Sequence, residues 1–377
     1  MAQNPNFLMI NLDYTIEFGN LLAYTTKWLV GSGHHRQEKS FVRMSIMFGF
    51  YQWTTDTHIM GEILMKLWKK LATVTLAAAA TLALAACGNS KSSTSSSSKD
   101  GYTPKSLNIQ FVPSSNADTI EAKAKPLEAL LKKQLGIPVK VTVSTDYNSI
   151  VEAMKSKQVD VGFLPPDGYV QAHKQGAADV LLQAQRYGIK QPGGKNTTKL
   201  VDSYRAEIIV KKGSSIKSYK DLKGKKIAVQ DVTSSSGYIW PVAELSQKGI
   251  DVPKDDTLVT VKGHDQGVMS VLNGDTDAAF VFEDARNVVK KDVPNIMTEV
   301  LPIYFTKPIP NDTISVRTDM SKAFRNKLSK AFMTIAKSKK GHAIISSIYT
   351  HEGYVKTKDS NFDIVRKYDK IAEGENK

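Results

Sequence analysis

The sequence predicts an α/β fold: two lobes, each a mainly parallel sheet flanked by helices. Three observations carry that prediction. Short β-branched runs alternate with amphipathic helical patterns from residue 105 onward, the signature of strand–helix–strand units. Two eighteen-residue segments, YNSIVEAMKSKQVDVGFL from Tyr147 and HDQGVMSVLNGDTDAAFV from His264, align without a gap, pairing Val151 with Val268, Asp160 with Asp277 and Phe163 with Phe280. Each reads as a helix, an acidic turn and a buried strand, so the two lobes share one plan. Finally, DVTSSSGYIWP (231–241) sets three serines and a glycine between a strand and a helix.

The elements follow in chain order. Residues 1–64 show neither a sustained period nor a linker composition and are read as the product of a misassigned upstream start. A ribosome-binding site just before the Met65 codon is expected; a good one before Met1 instead would overturn this. Met65 opens a basic head (Lys66, Lys69, Lys70), an apolar run from Leu71 to Ala86 and small residues before Cys87. That is the layout of a secretory signal, 65–86, and its apolar run falls short of the about 20 residues a membrane span needs. Leu84-Ala85-Ala86-Cys87 resembles a bacterial lipobox. The resemblance implies cleavage before Cys87, diacylglycerol on its sulfur and anchorage at the extracytoplasmic face of the cell membrane. The Ser-rich stretch GNSKSSTSSSSKDG (88–101) then reads as a flexible tether, so 87–104 is lipidated cysteine plus tether. Cys87 is the single cysteine, and no disulfide staples the body.

In the body, LNIQFV (107–112), VKVTVS (139–144), VDVGFL (159–164), DVLLQA (179–184), EIIVKK (207–212), KIAVQ (226–230), LVTVK (258–262) and AAFVF (278–282) read as strands. TIEAKAKPLEALLKKQLG (119–136), SIVEAMKSKQ (149–158) and RNKLSKAFMTIAKS (325–338) read as amphipathic helices. The chain's 51 basic and 37 acidic residues fall to 44 and 32 once residues 1–86 are set aside, so the net charge goes from +14 to +12. Such a balance favours anionic ligands or an anionic surface, or is simply lysine on a solvated exterior. No basic run interleaves with aromatics, which argues against nucleic acid as a partner.

Open α/β sheets bind ligands beyond the carboxyl ends of their strands, where helix N-termini point. Tyr147 and His264 hold equivalent helix starts; Ser234, Ser235 and Ser236 with Gly237 hold another, as do Ser114, Ser115 and Asn116. Serine hydroxyls and free backbone N–H groups at a helix start suit a tetrahedral oxyanion, with Gly237 expected to admit close backbone approach. The alternative for the same residues is a capping turn. Glu283 and Asp312 are candidates to accept from a ligand ammonium or a protonated phosphoryl oxygen; otherwise they are a helix-start acid and a turn residue. No G-x-S-x-G elbow, phosphate-binding Walker loop or H-E-x-x-H is present, and the body's histidines (173, 264, 342, 351) lack metal-ligand spacing. No cofactor or metal is expected.

These residues, with their order, resemble the PhnD-like solute-binding proteins of phosphonate ABC importers. The resemblance covers about 105–370 and rests on DYNSI (146–150), VDVGF (159–163), TSSSGY (233–238), KGHDQ (262–266), FVFED (280–284) and PNDTISVR (310–317). It implies a type II periplasmic-binding-protein fold with the ligand between lobes. The phosphonate oxygens would lie on Ser234, Ser235 and Ser236, alongside Tyr147 and His264. Glu283 and Asp312 would be the acids able to hold a ligand amino group. A permease and its ATPase are the implied partners, and no bond is made or broken. Two departures bear on the ligand's organic end: Leu164-Pro165-Pro166-Asp167 after the third strand, and the long loop GIKQPGGKNTTKLVDS (188–203). Phosphonate, phosphite and phosphate all stay open as cargo. The lobes are expected at 105–205 plus 312–377 and at 206–311. Two other classes remain: a surface phosphoesterase-type hydrolase with a cleft serine, and an adhesin reusing the fold.

Overall fold

The computed structural model describes residues 101–374. The upstream segment, the signal, Cys87 and nearly all of the tether lie outside the described residues.

The first half of the chain runs β1 (Leu107–Phe111), α1 (Ala117–Ala124), α2 (Leu127–Leu135), β2 (Val139–Val143), α3 (Tyr147–Lys155), β3 (Val161–Leu164), α4 (Pro166–Lys174), β4 (Ala178–Lys190), β5 (Lys195–Val201) and β6 (Ser203–Tyr204). A second series follows: β7 (Ala206–Lys211), β8 (Lys226–Val229), α5 (Trp240–Ser246), β9 (Thr257–Thr260), α6 (His264–Asn273), β10 (Ala278–Phe282) and β11 (Val300–Phe305). The chain ends with β12 (Ile309–Pro310), β13 (Thr313–Arg317), α7 (Lys322–Lys337), α8 (Lys339–Tyr349), β14 (Gly353–Val355) and α9 (Asp363–Ala372). The helix expected across 119–136 is two: Pro126 has no N–H to donate and divides α1 from α2.

Two large sheets result, with strand orders β14-β4-β13-β3-β1-β2 and β11-β7-β10-β8-β9. In both, the second strand of the unit lies outside the first and the third inside it, and then comes a strand arriving from the other lobe. The segments aligned in the sequence do equivalent work. Asp160 accepts at 2.9 Å from the Asn108 N–H beside β3, and Asp277 accepts at 2.8 Å from the Lys226 N–H beside β10.

The sheets are mixed rather than mainly parallel. β2, β1 and β3 are parallel, as are β9, β8 and β10, but β13 and β7 run antiparallel to their neighbours. Connectivity explains this. The parallel strands run toward the cleft, whereas β7 and β13 enter their sheets from it and must run the other way. The two crossings meet as a short antiparallel ribbon, β6 with β12.

Burial follows the pleat. In the second sheet Ile208, Ile227 and Phe280 pack on one face, Ile209, Ala228 and Val281 on the other. In the first, Phe111 stacks on Phe163 at 4.1 Å, and the Phe332 ring of α7 meets Phe163 edge-on at 5.7 Å. Each such buried side chain contributes about 1.5–3 kcal/mol. The 188–203 segment, expected as a loop, is the end of a hairpin. β4 pairs with β5, and its turn reaches the second lobe, where Arg286 Nη2 donates to Pro192 O (3.0 Å) and Asn287 Nδ2 to Gly194 O (2.9 Å).

Candidate functional site

The carboxyl ends of the two parallel trios face a cavity of about 270 Å³. Its wall includes Tyr147, Ser234, Ser235, Ser236, His264 and Asp312, six of the seven ligand-site residues anticipated from the sequence.

The serines sit where β8 gives way to α5. Ser234 caps a single π-turn, Ser235–Ile239, its Oγ accepting from the Gly237 N–H at 3.3 Å. Ser235 Oγ accepts from the Asp167 N–H of the opposite lobe at 3.0 Å. Ser236 faces the phenol of Tyr204, and Ser234 that of Tyr147. A serine hydroxyl has one proton to give. Because Ser234 and Ser235 already accept from backbone amides, that proton is directed elsewhere, and the cavity is what their side chains line. Gly237 serves a different purpose from the one expected. A Cβ there would lie 1.9 Å from Gln230 Cγ, so the glycine makes room for Gln230 rather than for a ligand.

Tyr147 and His264 are the first residues of α3 and α6, as the repeat required. The His264 N–H donates to Ser114 O across the cleft at 2.9 Å, and the preceding Gly263 nearly touches the Ser115 backbone. The His264 ring packs edge-on against Phe282 at 4.7 Å, and its buried Nδ1 has no hydrogen-bond partner. Burial drives its pKa down to about 3, Asp312 opposing and Arg186 adding to the drop, so at neutral pH it is an uncharged donor or acceptor. Burial raises the Tyr147 and Tyr204 phenols well above their ordinary value, keeping them protonated.

Asp312 precedes β13, with its Oδ2 3.2 Å from Nε2 of the buried His351. Glu283 is not in the cavity. It is the first residue past β10: the Phe282 ring lines the wall, while Glu283 begins a turn and points to the crossing strands. There it accepts from Gln191 Nε2 at 2.8 Å and from the Arg205 N–H at 3.2 Å. Asp284, one residue on, returns to the cavity wall.

Sequence reasoning missed Arg186, Tyr204, Asp284 and Tyr349. Arg186 is buried in the hairpin strand β4; its Nη2 donates to Tyr349 O (2.9 Å) and Thr350 Oγ1 (2.7 Å), and its Nη1 lies 3.7 Å from Asp284 Oδ1. No local motif marks these residues; the second copy of the acid in FVFED was the available signal for Asp284. Leu164 and Pro165 line the cavity, so that departure in sequence does fall at the site, while Tyr169 turns away to donate to Asp359 at 2.7 Å.

A family model described as the periplasmic substrate-binding protein of phosphonate ABC transporters matches residues 109–362. The phosphate-import protein PhnD of Mycolicibacterium smegmatis is 31% identical over 216 residues, 55% of this chain and 64% of that protein. The phosphonates-binding periplasmic protein of Escherichia coli is 22% identical over 248 residues, 65% and 70% of the two chains. The structure of PhnD1 from Prochlorococcus marinus in complex with methylphosphonate superposes with a TM-score of 0.61 at 18% identity, covering 73% of this chain and 99% of that one, a likeness of fold. With the match spanning both sheets and the cleft between them, the chain belongs to the family of periplasmic substrate-binding proteins of phosphonate ABC transporters.

Proposed function

We propose that the cleft captures a small phosphorus oxyanion (phosphonate, phosphite or phosphate) and presents it to an ABC permease and its ATPase, the protein being held at the extracytoplasmic membrane face by lipid on Cys87. The observation that carries the reading is the pair of cavity-lining serine hydroxyls that each already accept from a backbone amide and keep their one proton to donate. They enter the cavity as donors, joined by the protonated phenols of Tyr147 and Tyr204. Each charge-assisted hydrogen bond contributes about 1.5–3 kcal/mol. Three such bonds supply most of the about 8 kcal/mol of micromolar binding. Asp312 then accepts from a protonated phosphoryl oxygen. In this reading the lobes are 105–205 plus 312–377 and 206–311, closing on the ribbon between them.

A serine nucleophile would need a basic partner within hydrogen-bond reach. Among the described residues no serine hydroxyl is hydrogen-bonded to a histidine ring, and His264, with a pKa near 3, is a poor base. These points favour a binder over a hydrolase. The decisive experiment is calorimetry with methylphosphonate, phosphite, phosphate and sulfate. Saturable one-to-one binding of a phosphorus oxyanion without product, weakened at least tenfold in Ser235→Ala, is expected. Heat from none of them would overturn the reading, and turnover of a phosphoester lost in Ser235→Ala would establish the hydrolase.

A further inference from the structure

A ligand ammonium entering a dry cavity gives up its water and must find a carboxylate whose charge is not already balanced. Three carboxyl groups lie at or beside this cavity, and only Asp284 is both on its wall and left over once Asp312 takes the phosphoryl proton in the reading above. Glu283 faces the crossing strands, engaged by Gln191 and the Arg205 N–H. Asp312 has Oδ2 3.2 Å from His351 Nε2. Asp284 has Oδ1 3.7 Å from Arg186 Nη1.

The Arg186 cation is fixed. Its other amino group donates to Tyr349 O and Thr350 Oγ1, and its guanidinium carbon lies 5.2 Å from the Tyr204 ring centroid and 5.7 Å from that of Phe282. Swinging aside to free Asp284 would break all four contacts. An ammonium placed at Asp284 would therefore sit beside a buried guanidinium. Lys123 adds a second positive charge to the wall, and much of the remainder is apolar: Val112, Leu164, Phe282, Val288 and Ile348.

We infer that the cleft takes phosphorus oxyanions whose remaining substituent is small and uncharged, and that Arg186 is the specificity-determining residue that excludes aminoalkyl phosphonates by cancelling Asp284. This inference rests on the phosphoryl reading proposed above. The deciding measurement is calorimetry of the full-length protein with methylphosphonate, phosphate and 2-aminoethylphosphonate. Methylphosphonate is expected to bind at least tenfold more tightly than 2-aminoethylphosphonate. Arg186→Met frees the Asp284 carboxylate and is expected to shift that ratio at least tenfold toward the amine. Asp284→Asn provides an arm that does not depend on losing a buried arginine: the affinities for the two phosphonates should change together. Equal or tighter binding of 2-aminoethylphosphonate by the wild type overturns the inference, as does an unchanged ratio in folded Arg186→Met or a selective loss of the amine in Asp284→Asn. Failure of every phosphorus oxyanion to bind overturns the phosphoryl reading, and this inference with it.

Discussion

His264 and Asp167 are buried titratable groups that push stability in opposite directions along the pH scale. His264 has an ordinary pKa of 6.5 and one of about 3 in the fold, because burial disfavours its cation. The unfolded chain thus binds a proton between those limits that the folded chain does not. Stability is fully present above pH 6.5 and is lost as pH falls toward 3, by up to about 1.4 kcal/mol per unit. His264→Asn is expected to flatten the acid side of a stability–pH curve measured by urea unfolding; an unchanged slope would contradict the burial argument. Asp167 behaves in the reverse sense. Burial, then a hydrogen bond and like-charge repulsion with the neighbouring Asp369, raise its carboxyl well above the ordinary carboxylate range. Its contribution is present below pH 3.8 and is lost as pH rises through the folded value. Asp167→Asn keeps the backbone N–H that Ser235 uses, and is expected to raise the melting temperature at pH 8 more than at pH 5. A gain of equal size at both would refute the assignment.

Among the elements, the α6 start decides how closely the lobes approach. A Cβ on Gly263 would lie 2.8 Å from Ser115 Cα, a backbone contact that cannot be relieved without moving the chain, and 2.3 Å from Asp265 Oδ1, which a side-chain rotation can clear. Gly263→Ala is expected to weaken oxyanion binding at least tenfold while leaving the melting temperature of the ligand-free protein within a few degrees; scattering should show a wider molecule with ligand present. Full affinity in this variant would mean that the lobes need not come so close. The same region shows what was legible in the sequence. Helix starts at Tyr147 and His264 could be read because one alignment fixed both, and the serine junction because hydroxyls at a strand–helix boundary have few uses. Glu283 was placed in the cavity because a motif does not reveal which of two adjacent acids in the turn after a strand faces inward. Arg186 was hidden because its partners, Asp284, Tyr349 and Thr350, lie at least 98 residues away along the chain and meet it only in three dimensions.

For the molecule as a whole, the duplicated strand order was anticipated in outline and its mixed polarity was not, since polarity depends on where the chain crosses. A ligand that binds only the folded protein stabilises it by mass action, so saturating oxyanion at about 100 times Kd should contribute about 2.7 kcal/mol. A thermal shift growing with the logarithm of ligand concentration checks this; a flat response would sink the binding reading. The crossings have one more consequence, for the order in which the protein is made. β13 lies inside the first sheet, between β3 and β4, and Thr313 donates to Leu164 from 149 residues downstream. A chain emerging from its amino end would therefore leave the first lobe with a gap in mid-sheet until the second lobe had been delivered, whereas the second lobe is one continuous piece. The second should mature first: in pulse-labelled hydrogen exchange during refolding, the Ile208 and Phe280 amides are expected to become protected before that of Ile314, and the reverse order would refute it. For an exported protein, the receptor's first half would then wait, open and sticky, on the far side of a membrane, and the late-arriving β13 would set how long chaperones must hold it.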